Sequence, residues 1–312
     1  MSGQPTIYAI KASNQANSLQ VDKVWTQGGS AGIAAGLTNF VQFPYGDGAL
    51  LLGQASDGSL QSYRLTAAAP YVTPIASKFA LGGPCDILKP FVIGGRQHLF
   101  AYRAKAGVLH FHQVNDDLTL SKPFEYYRAR SPGLTSDWTM VQPITYLNRV
   151  YYATYDFNTG MVELFDIDVT AVASSAGVPP LQTLNVWSWT WAKGWTHFAF
   201  FEFGGENFFF KINVMKPNVN IDHLNLDPGL RSNEVSTQMK LEDSQALDIV
   251  RSLYMEGGAP YLVNYLKSGK TTFYRVHADC QGWTMEARLT TAADASDIVT
   301  YRIGDRSFAL FY

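Results

Sequence analysis

The chain has 312 residues, 46% of them apolar, 14% aromatic and 16% charged, with a formal net charge of -2 at pH 7. So much apolar material with so few charges argues against long disordered regions, and the near-neutral balance gives no whole-chain signal for nucleic acid or an anionic membrane surface. No apolar run reaches the roughly 20 residues that span a bilayer, MSGQPTIYAIKASNQ lacks a basic start followed by a long apolar stretch, and with only Cys85 and Cys280 to oxidise the sequence as it stands is expected in a reducing, cytoplasmic setting.

In chain order, IYAIKASNQANSLQVDKVWTQ (7–27) alternates on both sides of a polar turn at Asn14–Asn17. Next, LTNFVQF (37–43) precedes LLLGQASDGSLQSYRL (50–65). CDILKPF (85–91) precedes LFAYRAKAGVLHFHQV (99–114) and PFEYYRA (123–129). WTMVQPI (138–144) is followed by VYYATYDFNTGMVELFDI (150–167) and NVWSWTW (185–191). The same order recurs in WTHFAFF (195–201), FFFKINVMKPNVNIDHL (208–224) and EVSTQMK (234–240), then in LDIVRSL (247–253), YLVNYLKSGKTTFYRV (261–276) and GWTMEAR (282–288). SDIVTYRIGDRSFALFY (296–312) ends the chain.

Each set is one apolar run, a β-hairpin with period-two alternation, and a more variable fourth run. The hairpin turns fall at Gly58, Gly107, Gly160, Asn218 and Gly269, with spacings of 49, 53, 58 and 51 residues, and use residues that tolerate positive φ. Gly-rich breaks at 94–95, 204–205, 257–258 and 304 separate the first run from the hairpin. The best helical candidate, Lys240–Arg251, runs into a first strand.

Four strands per roughly 50 residues, repeated, predict an all-β, six-bladed β-propeller with four antiparallel strands per blade. The sixth blade is split between the chain ends, so residues 1–312 form a single domain closed by N- and C-terminal strands. IYAIKA and SFALFY both resemble a second strand, and the pattern leaves open which one completes the closing blade.

In a propeller the first strand of each blade lines a central channel, and ligands gather where blades converge on a concavity. The residues opening those strands are Thr38, Asp86, Thr139, Thr196, Asp248 and Asp297. Two readings fit: hydrogen bonding to nearby backbone at strand entry, or a polar ring holding water, a cation or a ligand. Around this ring the copies diverge. One residue on stand Asn39, Ile87, Met140, His197, Ile249 and Ile298; three residues on stand Val41, Lys89, Gln142, Ala199, Arg251 and Thr300.

This asymmetry predicts one pocket. His197, Gln142 and Arg251 are its donor candidates, and Asp86, Asp248 and Asp297 its acid or base candidates. Trp138 and Trp195 are expected as apolar walls, and Thr38, Thr139, Thr196 and Lys89 as further substrate contacts. No metal and no cofactor are expected: His110 and His112 share a strand face without a third ligand nearby, and no Walker loop, nucleophile elbow, zinc-protease motif or dinucleotide fingerprint occurs. The Trp residues of NVWSWTWA (185–192) read either as inter-blade packing or as a sugar platform.

In six-fold architecture, blade length, size and terminal closure, the chain resembles the fungal fucose-specific lectin group of propellers. That resemblance implies an Arg and Glu pair with aromatic residues in nearly every blade, whereas here Arg64 and Arg275 occupy third strands with no matching series elsewhere. Multivalent binding favours similar sites, so blades that differ at the pocket face suit one central site. Lectin-like propellers of fungal natural-product pathways include cyclases, among them hetero-Diels–Alderases joining a tropolone-derived quinone methide to a sesquiterpene alkene. This chain is similar to them in size, aromatic content and lack of cofactor motifs. The resemblance thus implies a cofactor-independent enzyme with a hydrophobic small-molecule substrate. A carbohydrate-binding lectin with sites between blades, and a protein-interaction propeller, are the alternatives; no nucleic acid and no membrane span is expected in any of them.

Overall fold

In the computed structural model, residues 4–13, 18–28, 32–76, 79–106, 108–121, 124–127, 138–146, 149–167, 183–214, 218–225, 231–239, 246–255 and 258–312 are described. They form six four-stranded antiparallel sheets. The first strands are Thr38–Tyr45, Ile87–Ile93, Met140–Tyr146, His197–Phe203, Ile249–Tyr254 and Ile298–Ile303, and these form the inner edges of the six sheets. Among the described residues there is no α-helix, and none is long and apolar enough to cross a membrane.

Second strands explain why the repeat is legible. Pro260–Tyr265 is buried at every position, and Arg149–Tyr155 at every position but its first. Each such strand has a neighbouring strand on both sides and a neighbouring blade on both faces, so apolar residues run on without alternating. Tyr152, Tyr155, Tyr265, Phe100, Phe210 and Phe308 fill the seams between blades at less than 2% exposure. Burying one such side chain contributes roughly 1.5–3 kcal/mol.

The turns follow the glycines. Gly94 and Gly95 both have positive φ, 55° and 76°, as do Gly204 and Gly205 at 61° and 82°; two successive positive φ values give the tight turn whose twist matches its flanking strands. The hairpin glycines Gly58, Gly160 and Gly269 lie at 86°, 77° and 89°. Asn218 differs from expectation: it is the first residue of the third strand in its blade, paired with Asn213. The turn at Gly107 and the polar turn at Asn14–Asn17 lie outside the described residues, as do 240–245 of the helical candidate; its end, from Ile249, is strand.

The sixth sheet has the order Leu19–Thr26, Thr6–Ala12, Arg306–Phe311, Ile298–Ile303. Neither candidate strand is redundant: Arg306–Phe311 is the second strand and Thr6–Ala12 the third, in antiparallel register from Thr6 opposite Phe311 to Ile10 opposite Ser307. The C-terminal Tyr312 extends the closure into the first blade, where its hydroxyl accepts from Leu37 N (2.9 Å) and donates to Ala34 O (2.6 Å). One strand has no counterpart in the sequence reading: Val72–Ile75, the four-residue outer strand of the first blade. It carries Pro74, which an edge strand tolerates because no outer neighbour needs its N–H.

Candidate functional site

The inner strands converge on a cavity of about 240 Å³ at the mouth of the central channel. Its polar lining comes from every blade: Asn39, Asp86 and Lys89, Thr139 and Gln142, Thr196 and His197, Arg251, and Asp297. Phe40, Met140, Phe198 and Phe200 add apolar wall.

The Asp and Thr ring is first of all structural. Asp86 N, Thr139 N, Thr196 N and Asp248 N each donate to the last residue of the adjacent second strand, or the one next to it, at 2.8–3.0 Å. The side chains reinforce this. Asp86 Oδ2 accepts from Ala104 N and Asp248 Oδ2 from Lys267 N, both at 2.7 Å. The Thr139 hydroxyl donates to Tyr155 O (3.1 Å), that of Thr196 shares its one proton between Ile212 O and His197 Nδ1 (both 3.0 Å), and that of Thr38 reaches Gln54 O at 3.5 Å. Thus each entry residue pins its strand to the hairpin behind it. Asp86, Thr139, Thr196 and Asp297 line the cavity as well; Thr38 and Asp248 do not.

The variable positions carry the chemistry. Arg251 is fixed by three bonds: Nε to Ile298 O (3.0 Å), Nη1 to Val250 O (2.8 Å) and Nη2 to Asp297 Oδ1 (2.5 Å). Two of the five guanidinium N–H groups are left. Asp297 Oδ1 also accepts from Ile298 N at 2.7 Å, so this ion pair joins the fifth blade to the sixth. Gln142 Nε2 donates one N–H to Pro143 O at 3.0 Å, which leaves its second N–H to donate and its carbonyl to accept.

His197 joins the fourth blade to the fifth, with Nε2 3.2 Å from Asp248 O and Nδ1 3.0 Å from Thr196 Oγ1. Burial holds its pKa below the ordinary imidazole value, against the opposing hydrogen bond to Asp248 O, so the ring is neutral at pH 7. A carbonyl only accepts; Nε2 therefore carries the proton, and Nδ1 is the basic nitrogen.

Lys89 stands apart. Its side chain is half-buried in the cavity wall, and burial followed by the nearby Arg251 charge lowers its pKa to about 8, with Asp297 opposing. A lysine so placed is partly unprotonated at pH 7, whereas an ordinary lysine titrates near 10.4.

Trp138 and Trp195 are not walls of this cavity. Trp138 is 4% exposed and packs on Tyr102, Tyr152 and Phe165; Trp195 is 6% exposed, with Lys211 Nζ 5.0 Å from its ring centroid. Each precedes its strand by two residues, which turns the indole into the seam between blades. The apolar walls are instead Phe40, Phe198 and Phe200, aromatic positions within the inner strands that the strand-entry comparison passed over.

Asn39 is placed by a local irregularity. Register shifts between Thr38 and Val41, and Asn39 adopts φ 49°, a conformation for which Asn is suited. Its Nδ2 then donates to Cys85 O at 2.8 Å, beside the Gln54 amide, which bonds both Cys85 O and Cys85 N at 2.9 Å.

The other candidates are accounted for as packing. His110 and His112 are buried, and among the described residues no group of three or more His, Cys, Asp or Glu could hold a metal. Cys85 and Cys280 are free, buried thiols. Trp187 and Trp191 pack in the seam between the third and fourth blades, while Trp189 is 64% exposed. Arg64 pairs with Asp47, and Arg275 with Glu286, which also accepts from the Tyr261 hydroxyl.

No protein-family model matches the chain, and no curated protein matches it. Among solved structures it is similar to the periplasmic gluconolactonase PpgL of Pseudomonas aeruginosa, with a TM-score of 0.56 and 12% identity over 95% of this chain and 85% of that one. It is also similar to an arginine-to-alanine triple mutant of AofleA from Arthrobotrys oligospora (TM-score 0.51, 11% identity, 87% and 78% covered). A third is the exo-beta-1,3-galactanase Pc1,3Gal43A of Phanerochaete chrysosporium with galactose (TM-score 0.51, 8% identity, 88% and 71% covered). At such identities what is shared is the fold alone; the six sheets of four antiparallel strands are this chain's.

Proposed function

We propose that the chain is an enzyme with one small-molecule site at the channel mouth, where Arg251 and Gln142 hold a polarised oxygen of the substrate and His197 Nδ1 accepts a proton. The observation that carries this reading is the convergence of unlike groups from different blades: Lys89, Gln142, His197 and Arg251 each occur once, on four inner strands around one cavity. A fixed guanidinium costs little reorganisation when it meets developing negative charge, and holding two reacting ends together supplies much of the acceleration in a cyclisation. The polar lining favours a substrate with a carbonyl or carboxyl oxygen at one end, its apolar remainder against Phe40, Phe198 and Phe200. A cyclase of the hetero-Diels–Alder kind, with a carbonyl-conjugated reactant, is the finer form of the proposal.

A sugar is the competing ligand, since the solved structures similar in fold include a gluconolactonase and an exo-beta-1,3-galactanase with galactose. One feature favours a lectin reading, the Arg275–Glu286–Tyr261 cluster. Its counterpart in the first blade is different, since Arg64 pairs with turn residue Asp47. The cluster is therefore not a repeated site.

The test is ligand-detected NMR with a panel of small carbonyl compounds and monosaccharides, on the parent and on Gln142→Ala and Arg251→Ala. One-to-one binding of carbonyl compounds, weakened at least tenfold in both variants, is expected. Binding of sugars at several equivalent sites, unchanged in both variants, would contradict the proposal.

A further inference from the structure

Of the charged groups lining the cavity, Asp86 is taken up by Ala104 N and Asp297 by Arg251 and Ile298 N. Arg251 has three partners. Lys89 is the exception: among the described residues its Nζ has no hydrogen bond and no ion pair, although it stands in a cavity with two carboxylates. An ammonium ion in this position would ordinarily be drawn into a salt bridge. Here both carboxylates are held elsewhere, and the guanidinium of Arg251 repels a second positive charge.

We propose that Lys89 is the nucleophile of this site and that the substrate it takes is an aldehyde or ketone, captured as an imine. This rests on the reading of the cavity as a small-molecule site. In the step, the Lys89 Nζ lone pair attacks the carbonyl carbon and the C=O π pair moves to oxygen, which Arg251 N–H groups meet as charge develops. The nitrogen loses a proton and the oxygen gains one, giving a carbinolamine. Loss of one water then forms the C=N bond, so carbonyl and amine give imine and water with no oxidant or reductant consumed. His197 Nδ1, which lines the same cavity, is the acceptor for the proton leaving nitrogen. An amine partly withdrawn from water beside a second cation is an arrangement that makes lysine nucleophilic near neutral pH. In a conjugated carbonyl substrate the imine, once protonated, withdraws electrons from the conjugated system and so prepares it for addition or cyclisation.

The experiment uses the full chain with benzaldehyde and sodium cyanoborohydride at pH 7, followed by peptide mapping of benzylated lysines. Lys89 should be labelled roughly tenfold or more faster than the typical surface lysine, because a far larger fraction of it is unprotonated. Arg251→Ala should slow that labelling severalfold by letting the amine hold its proton, with the melting temperature reporting that the variant is folded. In Lys89→Met the remaining lysines should label as before. Benzaldehyde bound one-to-one in ligand-detected NMR, with Lys89 labelled no faster than surface lysines, would overturn the imine and leave the pocket reading standing. Neither binding nor preferential labelling would overturn both.

Discussion

Two lysines of this propeller face its interior, Lys211 buried and Lys89 half-buried in a cavity wall, and they are held in opposite ways. Lys211, in the seam between the third and fourth blades, is 2% exposed and has every partner a lysine can use. Its amine reaches Asp222 Oδ2 at 2.8 Å and Glu234 Oε1 at 2.9 Å, and lies 4.8 and 5.0 Å from the ring centroids of Trp191 and Trp195. Lys89, at the channel mouth, has no such partner among the described residues. The same side chain is a rivet in one place and a reagent in the other, and the difference is set by whether a carboxylate is free to meet it. Neighbouring groups mark the contrast: burial raises Asp222 to about 6 despite Lys211 beside it, while burial and Arg251 lower Lys89 to about 8.

The sharpest way to break the comparison is Lys211→Met. Removing the cation strands Asp222, 1% exposed at its side chain, as a buried charge, and should cost about 3–5 kcal/mol in chemical denaturation at pH 7. A loss under 1 kcal/mol would mean that the cluster is not a structural unit. Trp195→Ala should be nearly as damaging, about 3–5 kcal/mol, because the indole fills the seam and covers Lys211; activity per folded molecule should be preserved. Had Trp195 been a pocket wall, activity would fall first.

Lys89→Met should act in the opposite direction. With the folded pKa near 8 and the unfolded value near 10.5, the native state binds fewer protons than the unfolded state between those pH values. The parent therefore gains stability as pH rises through that window and carries a penalty of up to about 3 kcal/mol at pH 7. The variant lacks this penalty, so it should melt higher than the parent at pH 7 and level with it near pH 10.5, while losing function. Lower melting at pH 7 would show that Lys89 holds the fold together. The smallest effect belongs to Trp189→Ser, within about 0.5 kcal/mol, since this exposed indole packs into no seam; a large loss would indicate a covered surface there.

The fold was legible because burial on both faces of the second strands writes itself into the sequence, as in YLVNY and VYYATY, and because Gly58, Gly160 and Gly269 mark hairpins that need positive φ. Val72–Ile75 was missed, since an outer edge strand with one neighbour needs neither length nor alternation. Cavity-lining residues were legible where their position in the repeat differs between blades: Lys89, Gln142, His197 and Arg251 stand out against Ile, Val and Ala at equivalent places. Trp138 and Trp195 misled because an aromatic residue beside a channel and one in a seam look alike in sequence, and only the two-residue offset from the strand start separates them. No pattern in one sequence could show that Asp297 is taken by Arg251 while Lys89 is left alone, because that depends on contacts between blades.

The central claim is tested most directly by measuring the reactivity of every lysine with trace acetic anhydride from pH 6 to 11, each site quantified by mass spectrometry. Lys89 should titrate with a midpoint near pH 8, ahead of surface lysines near 10.4, and Lys211 should stay unreactive while the chain is folded. A Lys89 that titrates with the surface lysines would contradict the account.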